Sequence, residues 1–227
     1  MVYVYGGPQV QLVINDFKLT ASSRAQMLVA LGYNVVSIDG RGTPGRGRRF
    51  ETALYRNLGS FEVSDQVEGL KHLHEQGLIN IEAGVAITGW SYGGYVAILA
   101  LAHFPNIFRL CIAGAPVTDW ELYDTGYTER YMDLPEHNAE GYSRSSVLNA
   151  VTDLPDEEDR LLLAHGLIDE NVHFHHTAAL VDALVVGQKP YHLKVFPRER
   201  HGLRSLESAL YFELTAASFL EKHMGDK

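Results

Sequence analysis

The stretch Val85-Ala-Ile-Thr-Gly-Trp-Ser-Tyr-Gly-Gly-Tyr-Val-Ala-Ile-Leu-Ala100 constrains this chain more than any other. It holds Gly89-x-Ser91-x-Gly93, with an apolar run of strand character (Val85, Ala86, Ile87) leading in and a helix-forming run from Tyr95 to Ala102 leading out. A serine on such a strand-to-helix turn takes a strained backbone conformation that pushes its hydroxyl above the sheet edge. The glycines two residues to either side are needed because a Cβ there would collide with neighbouring backbone. The N–H of Tyr92 opens the helix and faces an oxygen bound at Ser91, where the helix dipole favours negative charge. An ordinary glycine-rich turn is the plain alternative. The strand before and the helix after favour a nucleophile.

An elbow of this kind needs a parallel sheet, and 227 residues suffice to bury one large core in a single α/β domain. At 46% hydrophobic and 21% charged, the composition is that of an ordinary globular protein. No apolar run reaches the ~18 residues of a membrane span, and no signal-peptide pattern opens the chain. A net charge of −9 argues against a nucleic-acid partner. The arginine-rich piece Arg41 to Arg49 reads as a solvated loop that pairs with nearby carboxylates. Cys111 is the single cysteine, so no disulfide framework exists, and a reduced cytoplasmic compartment is compatible.

In chain order, strands are expected at Val2 to Tyr5, Val35 to Asp39, the elbow strand, Leu110 to Ala115, Arg160 to Ala164 and Tyr191 to Phe196. A loop from Gln9 to Thr20 leads to a helix from Ser22 to Leu31, whose apolar side would be Ala25, Leu28, Val29 and Ala30. Further helices are expected over Phe61 to Gln76, around Ser143 to Val151, over Phe174 to Val186 and over Leu206 to His223. Strands alternating with helices on short connections give a mostly parallel sheet with helices on both faces.

In open parallel sheets, chemistry gathers at the C-terminal strand ends. Ser91, Asp169 and His201 each follow such an end, and their order is that of an α/β-hydrolase triad. A serine hydroxyl is a poor nucleophile until an imidazole takes its proton, and a carboxylate orients that imidazole and stabilises its cation. Glu170 competes with Asp169, and an acidic pair in a loop is usually just solvated. His173, His175 and His176 invite a metal reading, but no carboxylate or cysteine completes a ligand set at useful spacing. No metal or other cofactor is expected. The aromatic passage from Trp120 to Tyr131, taken alone, reads as core at least as well as pocket.

Several motifs together carry a resemblance. Gly-Trp-Ser91-Tyr-Gly-Gly, Asp-Gly-Arg-Gly (39–42), Asp-Gln-Val-Glu-Gly (65–69), Ala-Gly-Ala-Pro-Val (113–117), Tyr-Asp-Thr-Gly-Tyr-Thr-Glu-Arg-Tyr-Met (123–132) and Asp-Glu-Asn-Val-His-Phe (169–174) resemble the dipeptidyl peptidases of the prolyl oligopeptidase family. Val-Tyr-Gly-Gly-Pro-Gln-Val-Gln-Leu-Val (4–13) and Gly-Gln-Lys-Pro-Tyr (187–191) are similar to its cytosolic branch, dipeptidyl peptidases 8 and 9. The resemblance covers essentially the whole chain. It implies an α/β-hydrolase domain that removes N-terminal dipeptides when the second residue is proline or, less well, alanine. By motif, Ser91 would be the nucleophile, Asp169 its orienter and His201 the base. Tyr5 would lend its hydroxyl to an oxyanion hole beside the Tyr92 N–H; without the resemblance it reads as a packed tyrosine. Tyr92, Val117, Trp120, Tyr123, Tyr127 and Val172 would line a pocket for the proline ring, which suits a rigid apolar ring with no N–H to satisfy. Asn171 would hold the substrate's carbonyl.

The resemblance further implies a β-propeller ahead of this domain, whose glutamates bind the substrate's free amine, so residues 1–227 would form one hydrolase domain of a longer protein. The family's sheet has strands before Val2. Lacking them, the strand at Val35 to Ile38 would present an exposed apolar edge prone to association. A homodimer is also compatible, through the last helix and the segment after Asp169. Three readings stay open: a post-proline exopeptidase, a general esterase or acylaminoacyl-releasing hydrolase on the same scaffold, and a non-catalytic interaction module. The aromatic residues argue against the second, and the intact triad positions against the third.

Overall fold

Alternation of apolar residues builds the centre of the molecule, seen in a computed structural model that describes residues 1–17 and 23–224. The chain opens with β1 (Val2–Val4), followed by α1 (Ser23–Ala30), α2 (Arg48–Glu51) and α3 (Phe61–Glu75). Next come β2 (Val85–Trp90), α4 (Tyr92–His103) and β3 (Phe108–Gly114), then α5 (Thr125–Met132) and α6 (Ala139–Ser145). The last third holds β4 (Leu161–Gly166), α7 (His175–Val186), β5 (His192–Phe196) and α8 (Leu206–His223). The strands form one parallel sheet in the order β1-β2-β3-β4-β5.

Because side chains alternate across a strand, each strand feeds two layers. Ile87, Cys111, Ala113, Leu161 and Leu163 join the layer under α3, α4 and α7, with Val63, Val67, Ile98, Leu101, Leu180 and Leu184. Ala86, Leu110, Ile112, Leu162 and Ala164 join the opposite layer, covered by Leu28 of α1 and by Phe212, Phe219 and Leu220 of α8. The two helices of that second layer are tied by a bidentate Arg24–Glu213 pair at 2.5 to 3.0 Å. Helices therefore cover both faces, as expected.

After β1 and α1 the chain touches the outer side of β1 at Val36, then passes through α3 to β2 on the other side. This reversal makes a switch point between β1 and β2, where strand ends open a crevice. Tyr5 follows β1 and Ser91 follows β2, so both stand at that crevice.

Some expectations need correction. The expected strand at Val35 to Asp39 is a single parallel bridge, Val2 to Val36. Val36 exchanges hydrogen bonds with Met1 and Tyr3 at 2.9 Å each, but the Asp39 carboxylate then captures the Leu12 and Val13 N–H groups at 3.0 and 2.8 Å. That turns the chain out of the ladder, leaving five strands among the described residues. Apolar residues do lie exposed on this side, with Val13, Ile14 and Val29 more than two-fifths accessible. In α1 only Leu28 is buried, whereas Val29 and Ala30 face outward. The expected start of that helix at Ser22, and the end of the preceding loop at Thr20, lie outside the described residues. The passage around Ser143 to Val151 divides into α6 and a 3₁₀ segment, Val147–Asp153. β4 runs on through His165 and Gly166, two residues past its expected end. The arginine-rich piece follows expectation in part: Arg41 pairs with the Asp65 carboxylate at 2.5 Å, whereas Arg46 caps the ring of Phe50 and Arg48 and Arg49 open α2.

Candidate active site

Ser91 is built by backbone. It has φ +61° and ψ −119°, a left-handed conformation that only local over-determination can hold. Its N–H donates to Gly114 O at 2.8 Å, and its own carbonyl accepts from Tyr95 N at 3.1 Å as α4 begins. The neighbouring glycines are steric necessities. A Cβ on Gly89 would stand 2.3 Å from the carbonyl of Gly93, and one on Gly93 would stand 2.3 Å from Val4 O. Tyr92 is the first residue of α4, so its N–H belongs to the first turn and has no carbonyl one turn earlier to bind. Eleven of the helix's twelve residues are buried, which fixes the turn above it.

Asp169 and His201 are built by hydrogen bonds. His201 Nδ1 lies 2.8 Å from Asp169 Oδ2, and the carboxylate is fully buried. Asp169 Oδ1 accepts from Asn171 N at 2.9 Å and Val172 N at 3.0 Å, and a second imidazole, His165 Nε2, stands 3.2 Å from Oδ2. Burial alone would raise this carboxyl's pKa. The donors from His165, His201 and Asn171 outweigh it and hold the group well below the usual carboxylate range. Glu170 is exposed and sits 3.7 Å from Arg200. The ambiguity between the two acids is thus resolved by geometry: Asp169 faces the imidazole.

Two further residues hold His201, and neither was singled out by pattern. Trp90 Nε1 donates to His201 O at 2.6 Å, tying the histidine's backbone to the residue before Ser91. Glu199 is buried and accepts from Arg204 N at 2.8 Å, Ser205 N at 3.3 Å and the Ser205 hydroxyl, clamping the loop into α8. Its pKa falls to about 2, chiefly through the Ser205 hydroxyl and then the Arg204 N–H. Trp90 acts on a partner 111 positions away that only folding brings near, whereas Glu199 closes a local loop with Arg204 and Ser205, five and six residues on. Among the described residues no hydrogen bond joins the Ser91 hydroxyl to His201. Catalytic hydrogen bonds are commonly long before substrate binds.

The aromatic residues form one connected group. Trp120 lies parallel to Tyr127 at 6.0 Å and meets Tyr92 at 5.4 Å; Tyr123 meets Tyr127 edge-on at 5.4 Å. Tyr5 stacks on Tyr92 at 5.8 Å. Trp120, Tyr92, Val117 and Val172 are buried in the main core, whereas Tyr5, Tyr123 and Tyr127 are half-buried and Asn171 is exposed. The buried rings therefore support the partly exposed ones. Tyr123 donates to Asn171 Oδ1 at 2.6 Å, which brings the amide to the rim of the group. Burial pushes the phenol of Tyr123 up to about 12 and raises that of Tyr5, the latter with help from Tyr131, so both stay protonated donors. His176 is buried with its pKa lowered to about 4, first by desolvation, and its Nδ1 accepts from Thr118 N at 3.2 Å. Among the described residues no cluster of three or more His, Cys, Asp or Glu is arranged to hold a metal ion.

Comparison with known proteins adds lineage to this geometry. The model of the prolyl oligopeptidase family matches residues 19–227. The chain is 49% identical to dipeptidyl peptidase 8 of Mus musculus and 48% identical to that of Homo sapiens, over 228 aligned residues covering all of it and 25% of each relative. It is 42% identical over 205 residues, 89% of the chain, to the probable dipeptidyl-aminopeptidase B of Arthroderma otae, covering 22% of that protein. The chain thus spans about a quarter of the length of the curated relatives it matches.

Proposed function

Since the chain belongs to the prolyl oligopeptidase family, we propose that it is the hydrolase portion of a serine dipeptidyl peptidase. It cuts the peptide bond after a proline, or less well an alanine, in second position from the N-terminus. The observation that carries the reading is a positive-φ serine ending β2, with the hydrogen-bonded Asp169–His201 pair tied by Trp90 to the same rim.

Each group has a task its chemistry suits. Asp169 accepts the Nδ1–H of His201, leaving Nε2 free to take the Ser91 proton as Oγ attacks the scissile carbonyl. The carboxylate stays ionised because four N–H donors surround it. Negative charge on the carbonyl oxygen is met by the Tyr92 N–H and by the neutral Tyr5 phenol. His201 returns its proton to the leaving amine, and an ester forms on Ser91. Water activated by the same imidazole then releases the dipeptide acid. The proline ring packs on the half-buried Tyr123 and Tyr127, backed by the buried Tyr92, Val117, Trp120 and Val172, where a flat aromatic surface gains from burying it. Tyr123 holds Asn171 by Oδ1, which leaves the amide N–H₂ to donate to a substrate carbonyl.

In this reading residues 1–227 are a single domain of a longer, propeller-containing protein of the cytoplasm. It works without a cofactor and pairs with a second copy through the exposed leucines of α8 (Leu206, Leu210, Leu214). No helix among the described residues is long and apolar enough to cross a membrane. The test is turnover of a fluorogenic Gly-Pro substrate beside a simple ester. Both should be hydrolysed and both lost in Ser91→Ala. Ester turnover without dipeptide release would mean that exopeptidase specificity resides outside these residues.

A further inference from the structure

We infer that His165 is a positioning residue for this site: it pins Asp169 and, through that carboxylate, sets the plane and tautomer of His201. The inference rests on the proposed roles of Ser91, Asp169 and His201. His165 is the penultimate residue of β4, and its side chain is fully buried. Its Nε2 lies 3.2 Å from Asp169 Oδ2 and 2.8 Å from Val172 O; its Nδ1 lies 2.7 Å from Thr177 Oγ1. A carboxylate and a carbonyl can only accept, so Nε2 must carry the hydrogen. In the neutral ring Nδ1 is then the acceptor for the Thr177 hydroxyl. The ring's edge contacts with Phe174, at 5.5 Å between centroids, close off the remaining side.

The consequence falls on Asp169 Oδ2, which sits between two imidazoles at 2.8 and 3.2 Å. With Asn171 N and Val172 N on Oδ1, all four acceptor directions of the carboxylate are filled. Rotation of the group would break at least one of these bonds inside a buried site, where an unmade bond is costly. A histidine serving only to pack would be satisfied by Thr177 and Val172. The additional contact to Oδ2 couples it to the reacting groups. Sharing Oδ2 also dilutes the negative charge that His201 meets. Removing the His165 donor should therefore strengthen the carboxylate's hold on the His201 cation and raise the pH at which His201 becomes a base. The other charged or titratable neighbours are His173 before α7, His175 and His176 on α7, Tyr123 ahead of α5, and the Glu170–Arg200 pair. All are unchanged in the variants below.

The experiment uses the whole chain and a fluorophosphonate serine probe, with the labelling rate followed from roughly pH 5 to 9. In H165L the rate should fall about tenfold to a hundredfold, and the acid limb of the profile should move up by about half a pH unit or more. H165Q, whose amide N–H can reach the same oxygen, should restore most of the rate and return the limb. T177V keeps the ring but removes the hydroxyl that makes Nε2–H a better donor, and should shift the limb less and in the same direction. A folded H165L with the wild-type profile, or a folded H165Q that restores nothing, overturns the inference. If neither folds, the T177V profile decides: a shift supports it and none overturns it. A wild-type chain that never labels removes the reading of Ser91, and this inference with it. A reactive wild type with unshifted variants removes the inference alone.

Discussion

Ser91 and His201 reach the same rim of the sheet by opposite means. The serine is placed by backbone sterics: positive φ, a buried helix after it, and glycines whose Cβ would strike main-chain atoms. The histidine is placed by side-chain hydrogen bonds: Asp169 accepts from its ring, Trp90 donates to its carbonyl, and Glu199 accepts within the loop that carries it. The first half has no tolerance for an added methyl at its glycines, and the buried acid near it, Glu62, accepts from the Tyr92 phenol. The second tolerates added bulk at Gly202 but not at Gly166, whose Cβ would stand 2.3 Å from Arg200 O, and it depends on ionised groups that answer to pH.

The difference can be tested from its largest expected effect downward. Ser91→Ala should cost about a millionfold in turnover, with an unchanged melting temperature, because nothing but the proposed nucleophile is lost. Asp169→Asn should cost about ten-thousandfold, since an amide can hold His201 in the wrong tautomer. Equal losses in the two would mean that the carboxylate is structural as well. Gly93→Ala should destabilise the fold by about 3 kcal/mol in urea unfolding, because its Cβ meets Val4 O and no side chain can yield. The companion change in the histidine half is Gly202→Ala, where a Cβ meets nothing within 4 Å. It should shift stability by less than about 0.5 kcal/mol. If the two alanines behave alike, the contrast between the halves is wrong.

The pH arm of the comparison concerns Glu199. Its folded-state pKa is depressed from 4.5 to about 2, so its stabilisation is present above 4.5 and is lost as pH falls through that window. Asp169, also depressed, adds a loss over the acid range below its ordinary value. Glu199→Gln should flatten the Glu199 part, and melting temperature against pH should show a shallower acid slope. A buried acid on the serine side supplies a control of opposite sign. Glu62, raised to about 7 first by burial, contributes stability below 4.5 that is lost as pH rises through 7. Glu62→Gln should reduce the loss on the neutral side and leave the acid slope intact.

The same contrast explains what pattern reading could reach. The elbow was legible because its requirements lie within five residues: a serine in a strained turn and glycines where backbone crosses backbone. α8 was legible end to end, Leu206 to His223, because Ser205 caps its first turn through Ser208 N and apolar residues recur at helical spacing along it. The run at Val35 to Asp39 has strand composition, yet it forms one bridge, because a ladder needs a continuing partner and Asp39 binds elsewhere. Val29 is as apolar as Leu28, yet only the latter meets the sheet. The aromatic residues are legible as a cluster, while their division into buried support and half-buried rim is set by packing.

The sequence alone determined the parallel α/β architecture and the strained turn at Ser91, since strand and helix periodicity and close-approach glycines are local constraints written in consecutive residues. It also carried the order serine, aspartate, histidine. Only the tertiary structure decided that Trp90 and Glu199 hold that histidine and that His165 shares the Asp169 carboxylate, while it seats Asp169, the acid the motif favoured, on the imidazole. These are contacts between residues up to 111 positions apart, and a hydrogen bond depends on distance and direction in space, which no local pattern records.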